Sequence, residues 1–207
     1  GMADGTWLEA EAVCLALPAS RAGALLMGED AELAGVLEGI PYASSVTVNL
    51  VFPRDALVHP LDGMGMVVPE GERRSILACT FSCRKFQERA PDRFILLRAF
   101  LGGHRFPDCV DRPDAEIERR VLDDLRALLG TRGSPVRLLI HRHSKALPQY
   151  RVGHPEKVRR IEEGAARLPG LALAGNAYRG VGIVHCIRSA NEAAERLLAE
   201  LHRGSYR

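Results

Sequence analysis

Four groups of residues have types and spacing suited to chemistry. The first is Gly180-Val-Gly-Ile183, a Gly-rich turn between an apolar run from Leu171 to Ala174 and a segment with helical spacing. Ile187, Ala190, Ala194, Leu197 and Leu201 recur every three or four residues and predict one apolar helix face. Gly180 and Gly182 carry no Cβ, so the backbone there can approach a ligand closely. The amides ahead of a helix also face its positive end. Such a turn either packs a helix on a sheet or offers its N–H groups to an electron-rich ligand. The second group is Met64, Gly65, Met66 and Val67 on one short predicted strand, with Arg98 and Phe100 sharing a face of another. Arg98 can meet a carboxylate bidentately or take part in a surface ion pair. The third is His141 and His143, which share a strand face and can donate two metal ligands. No further Cys, His or Asp cluster lies near them, so no metal is expected. The fourth is Cys79 and Cys83, whose spacing on one strand suits neither a disulfide nor a zinc knuckle and predicts core packing. No Ser-His-Asp triad, carboxylate pair or phosphate loop is present.

A reduced flavin is negative near N1 and the O2 carbonyl, and the turn at residues 180–183 suits it. The whole segment from Leu171 to Leu198 resembles the C-terminal flavin-contacting motif of the protoporphyrinogen oxidases, within the flavin amine oxidase superfamily. Ala12–Ala19, Ile40–Leu50, Gly63–Pro69, Leu97–Gly103 and Leu147–His154 resemble other segments of the same family, in the same order. The resemblance implies that Gly180, Val181, Gly182 and Ile183 contact FAD through their backbone. It implies that the strand with Met64, Gly65 and Val67 lines a tetrapyrrole cavity, with Val67 on one face of the macrocycle and Phe100 on the other. Arg98, beside Phe100, would meet a propionate. The family often carries a Trp near the position of His143, and this chain departs from it there.

A dinucleotide-binding half would show G-x-G-x-x-G after a strand, with an acidic residue about 20 positions later. Gly63-Met-Gly65 and Gly180-Val-Gly182 both lack the third glycine. The chain therefore resembles only the C-terminal half of the family. Its expected partner is the N-terminal FAD-binding half, and by itself the chain is expected to be flavin-free. The resemblance implies oxidation of protoporphyrinogen IX to protoporphyrin IX in haem biosynthesis, in three two-electron steps with dioxygen reoxidising the flavin. Coproporphyrinogen III oxidation on the same scaffold, and a non-catalytic tetrapyrrole-binding fragment, remain open alternatives. The resemblance also implies peripheral membrane contact in the complete enzyme.

These residues need elements to position them. The chain has 207 residues, a net charge of +2 and interspersed acids and bases, so no nucleic-acid footprint appears. No apolar run approaches the roughly 20 residues a membrane span needs. No signal peptide is visible, and the five cysteines sit mostly in apolar runs, as expected of a reduced, cytoplasmic chain. Ala12–Leu17 predicts a strand buried on both faces. Helical patterning then continues from Pro18 to the Gly39-Ile-Pro41 break. Residues 46–52, Met64–Val68, Ile76–Cys83, Phe94–Leu101 and Val136–Ile140 predict strands, with antiparallel pairing among neighbours. Ile117, Val121, Leu125, Leu128 and Leu129 predict the face of a helix that Gly130 ends. A further helix opens near Pro155, buries Val158, Ile161 and Leu168, and stops at Pro169-Gly170.

The expected fold is α+β to α/β. A mixed, largely antiparallel substrate-domain sheet with helices spans residues 42–147. Partial elements of an FAD-binding domain, residues 1–41 and 148–207, flank it. Apolar faces that belong against the absent half predict self-association.

Overall fold

The computed structural model describes residues 5–86 and 88–204. In chain order the elements are β1 (Val13–Leu15), α1 (Ala19–Leu26), α2 (Ala31–Glu38), β2 (Tyr42–Pro53), β3 (Gly65–Val67), β4 (Ile76–Phe81), α3 (Ser82–Lys85), β5 (Phe94–Gly102), α4 (Asp114–Leu129), β6 (Arg137–Pro148), α5 (His154–Ala166), β7 (Leu171–Leu173) and α6 (Ile183–Gly204). They form two compact units. One takes the chain up to Tyr42 together with residues from Pro148 onward, and the other runs from Ala43 to Leu147.

In the first unit, β1 and β7 pair in parallel, Cys14 opposite Ala172. The strand expected over residues 12–17 is shorter, and it is not buried on both faces: Val13 and Leu17 are exposed. The helical pattern after Pro18 is also not continuous. α1 stops at Leu26, and Asp30 opens a second helix by accepting the Leu33 N–H on its carboxylate at 2.9 Å. Leu33 and Leu37 of α2 pack with Val158 and Ile161 of α5, and with Ala19, Ala22 and Leu26 of α1. Arg167 closes the assembly by donating to Asp30 at 2.7 Å. Leu168 lies beyond the end of α5 and is only half-buried.

The apolar face read for α6 is displaced by about one position. Ala193 and Leu197 pack on Ala172 and Ala174, whereas Ile187, Ala190 and Ala194 are exposed. Small and large apolar residues form two adjoining stripes on this helix, and the narrow β1–β7 sheet covers the one centred on Ala193.

In the second unit the strand order is β3-β4-β5-β2-β6. β3–β4, β4–β5 and β5–β2 are antiparallel. Ser44 with Lys145, Thr47 with His143 and Val51 with Val136 show that β6 also runs antiparallel to β2. Period-2 alternation puts Val46, Val48, Leu50 and Phe52 on one sheet face with Ile95, Leu97, Ala99 and Leu101. Ile117, Val121, Leu125 and Leu129 of α4 join that core, and Gly130 ends the helix in the left-handed conformation. Asp124, on the same helix, accepts the N–H groups of Ser75 and Ile76 at 2.7 and 3.0 Å.

All five strands differ from their expected bounds: β2 runs from Tyr42 to Pro53, β3 only from Gly65 to Val67, and β5 to Gly102. β4 stops at Phe81, so Cys83 sits in the helical turn α3 rather than on a strand with Cys79. β6 extends to Pro148, with Leu138 and Ile140 packed on the core and Arg142 donating to the carbonyls of Val110 and Arg112. Among the described residues no helix is long and apolar enough to cross a membrane.

Candidate functional site

One face of the five-stranded sheet forms the core. The other carries Ser45, Thr47, Asn49, Ala78, Thr80, Leu96, Arg98, Phe100, Leu139, His141 and His143, and none of these is fully buried. The registers place them in rows across the strands. Val67 opposes Ala78, Ala78 opposes Phe100, and Phe100 opposes Thr47. The Thr47 hydroxyl lies 3.3 Å from His143 Nε2, which continues the row onto β6. The neighbouring row runs Gly65, Thr80, Arg98, Asn49. Arg98 Nε donates to Asn49 Oδ1 at 2.8 Å, and Arg98 forms no ion pair among the described residues.

Gly65, Val67, Arg98 and Phe100 are thus together on one surface. Val67 is 81% exposed and Phe100 half-buried, so neither is part of the closed core. Met64 stands apart from these rows. It precedes β3, its carbonyl accepts the Phe81 N–H, and it borders a shallow depression with Leu61, Asp62 and Arg84. Gly65 has a packing reason of its own. A Cβ there would lie 2.6 Å from the Cys79 carbonyl oxygen, so the close approach of β4 excludes a side chain. Cys79 is buried, and loss of solvent pushes its thiol up to about 12. It is a packing group with no thiolate chemistry at neutral pH. His141 and His143 are exposed, and no group of three metal-ligating side chains exists among the described residues.

The Gly-rich turn lies in the other unit. Val181 and Ile183 are exposed, and α6 starts at Ile183 with no acidic residue in its first turn. The first N–H groups of an α-helix have no carbonyl partner within it. The turn therefore offers amide donors beside apolar side chains, a combination that fits the edge of a flavin ring. Gly180 has φ +150°, and a Cβ on it would lie 2.4 Å from His185 Cγ. Its lack of a side chain lets His185 fold back over the turn.

Two residues beside this turn have a role that the sequence does not predict. Tyr150 Oη donates to the Asn176 carbonyl at 2.6 Å and accepts the Gly180 N–H at 2.8 Å. Its ring stacks on His154 at 3.9 Å between centroids, and His154 Nε2 lies 2.9 Å from the Tyr178 carbonyl. A carbonyl only accepts, so Nε2 carries the proton. Burial pushes the Tyr150 hydroxyl up, against the opposing pull of the Gly180 N–H, which keeps the phenol protonated and able to donate. Both residues fall in the Leu147–His154 segment, where an aromatic residue and a histidine four apart lead into a helix. That spacing was the available signal.

The family described as "Flavin containing amine oxidoreductase" matches residues 1–198. This chain belongs to that family. A coproporphyrinogen III oxidase of Propionibacterium freudenreichii subsp. freudenreichii is 35% identical over 198 residues, covering 95% of this chain and 37% of the relative. Human protoporphyrinogen oxidase is 32% identical over 212 residues, covering 95% of this chain and 44% of that enzyme. The crystal structure of an Exiguobacterium protein described as a protoporphyrinogen oxidase superposes with a TM-score of 0.79 at 32% identity, over 93% of this chain and 42% of that one. The chain therefore spans about two-fifths of the length of these relatives.

Proposed function

We propose that this chain is the C-terminal portion of an FAD-dependent porphyrinogen oxidase that converts protoporphyrinogen IX to protoporphyrin IX. The observation that carries the reading is the uncovered sheet face with Val67, Ala78 and Phe100 in one row and Arg98 in the next. An apolar platform beside a guanidinium matches a flat macrocycle that bears carboxylates. Relatives named for oxidation of such macrocycles support it. Val67 and Phe100 orient the ring system by desolvated contact, Gly65 keeps the backbone low beside them, and Met64 borders the strand. Arg98, steadied by Asn49, holds a propionate. The backbone of Gly180, Val181, Gly182 and Ile183 holds the pyrimidine side of the flavin. FAD, when bound, supplies the two-electron acceptor that no side chain of this segment provides. The protein's part is placement and exclusion of water.

A second reading, coproporphyrinogen III as substrate, is favoured by the exposed His141 and His143 on the same face as Arg98. A macrocycle with more carboxylates would use more hydrogen-bond donors. The test takes the longest native reading frame that contains this chain. Each porphyrinogen is added anaerobically, and flavin bleaching and porphyrin fluorescence are followed. Bleaching with porphyrin formation is expected, and the faster substrate decides between the readings. Porphyrin binding without any flavin signal would replace both with a tetrapyrrole-binding role.

A further inference from the structure

The turn at residues 180–183 is rich in glycine, and glycine backbone has little preference of its own. Gly175 and Gly180 both sit at positive φ, +131° and +150°. The direction in which the amides of residues 181–183 point must therefore be imposed from outside. One side chain reaches both ends of the lead-in segment. The Tyr150 hydroxyl bridges the Asn176 carbonyl and the Gly180 N–H, with 2.6 and 2.8 Å contacts. His154, 8% exposed and stacked under Tyr150 at an interplanar angle of 12°, holds the Tyr178 carbonyl between them. Residues 176, 178 and 180 are thus fastened at alternate positions to the first residue of α5 and the residue four before it.

We propose that Tyr150 and His154 are positioning residues that lock the segment from Asn176 to Gly180 and so aim the turn's amides at the flavin. The proposal rests on the flavin reading of that turn. Fixing a glycine-rich backbone before binding removes an ordering cost that the ligand would otherwise bear. The clamp touches no reacting atom, so it acts on cofactor affinity rather than on the chemical step.

Tyr150→Phe keeps the stacked ring and removes both hydrogen bonds. In the longest native reading frame, amide exchange over residues 176–183 is expected to quicken about fivefold or more, and FAD affinity to fall by a similar factor. Loss of even one of the two hydrogen bonds is of this size. The melting temperature should shift by only a few degrees. His154→Phe, which keeps a ring under Tyr150 but removes the donor to Tyr178, is read the same way should Tyr150→Phe fail to fold. His154→Gln, with an N–H restored, should recover part of the affinity. A wild type that binds no flavin overturns the flavin reading and this proposal with it. Beside a flavin-binding wild type, unchanged exchange or unchanged FAD affinity in the variants overturns the clamp alone.

Discussion

Val67 and Phe100 are both Cα partners of Ala78, from opposite sides, so their side chains flank one small residue on the same sheet face. Ala78 leaves a shallow step between two larger apolar groups. Val67→Arg should therefore cost the fold little, within about 0.5 kcal/mol as for other exposed positions. It should nonetheless abolish porphyrinogen oxidation in the longest native reading frame, because a guanidinium would stand on the platform. Thermal melting and oxidation rate are measured on the same preparation. Native stability with native activity would remove Val67 from the site.

Asp124 gives the opposite case, a buried carboxylate with no part in the site. Asp124→Ala strands the N–H groups of Ser75 and Ile76, and such an unsatisfied buried donor costs about 1–3 kcal/mol. Urea titration of the two proteins reads this directly. A variant as stable as the parent would show that water replaces the carboxylate there.

Asp30 makes stability depend on pH. The Leu33 N–H, and then Arg167, hold its carboxyl below the ordinary 3.8. A depressed carboxyl contributes stability above its unfolded value and loses that contribution as pH falls through the lower folded value. Asp30→Ala should melt below wild type near neutral pH, and the gap should close only in acid below 3.8. A gap of constant size at all pH values would assign the effect to helix propensity instead of charge.

The outward stripe of α6 supports a prediction about association. Ile183, Val184 and Ile187 are exposed at its start, and Leu198 further along. Contiguous apolar surface of this kind finds partners. The isolated chain should self-associate with rising concentration in light scattering, and Val184→Glu with Ile187→Glu should reduce it at an unchanged melting temperature. Monomers throughout the concentration range would refute it.

Much of the second unit was legible because its strands obey a period of two over long runs. Residues 46–50 alternate cleanly, 94–101 form an apolar run broken only by Arg98, and α4 has one well-separated apolar stripe. The same alternation placed Arg98 beside Phe100. Local rules failed where one residue redirected the chain. Asp30 opens a second helix inside a continuous helical pattern by capping, a local competition that apolar spacing does not register. On α6 two apolar stripes lie side by side, and spacing alone does not say which one a two-stranded sheet will cover. The role of Tyr150 is not legible in the sequence for another reason. Its role depends on two backbone groups 26 and 30 residues away, and nothing in its immediate neighbours reports them.

The position of β6 at the end of the strand order has a consequence for solubility. A twelve-residue strand with no further strand beyond it among the described residues is a template on which another chain can grow. This one is poorly suited to that use. Lys145 takes positive φ, +46°, which interrupts the regular backbone near its end, and Arg137, His141, Arg142, His143 and Lys145 crowd the strand with cationic or titratable groups. Two copies brought edge to edge would set the Arg137 and Lys145 charges against each other. The charges that crowd this edge thereby guard the sheet against fibrous stacking.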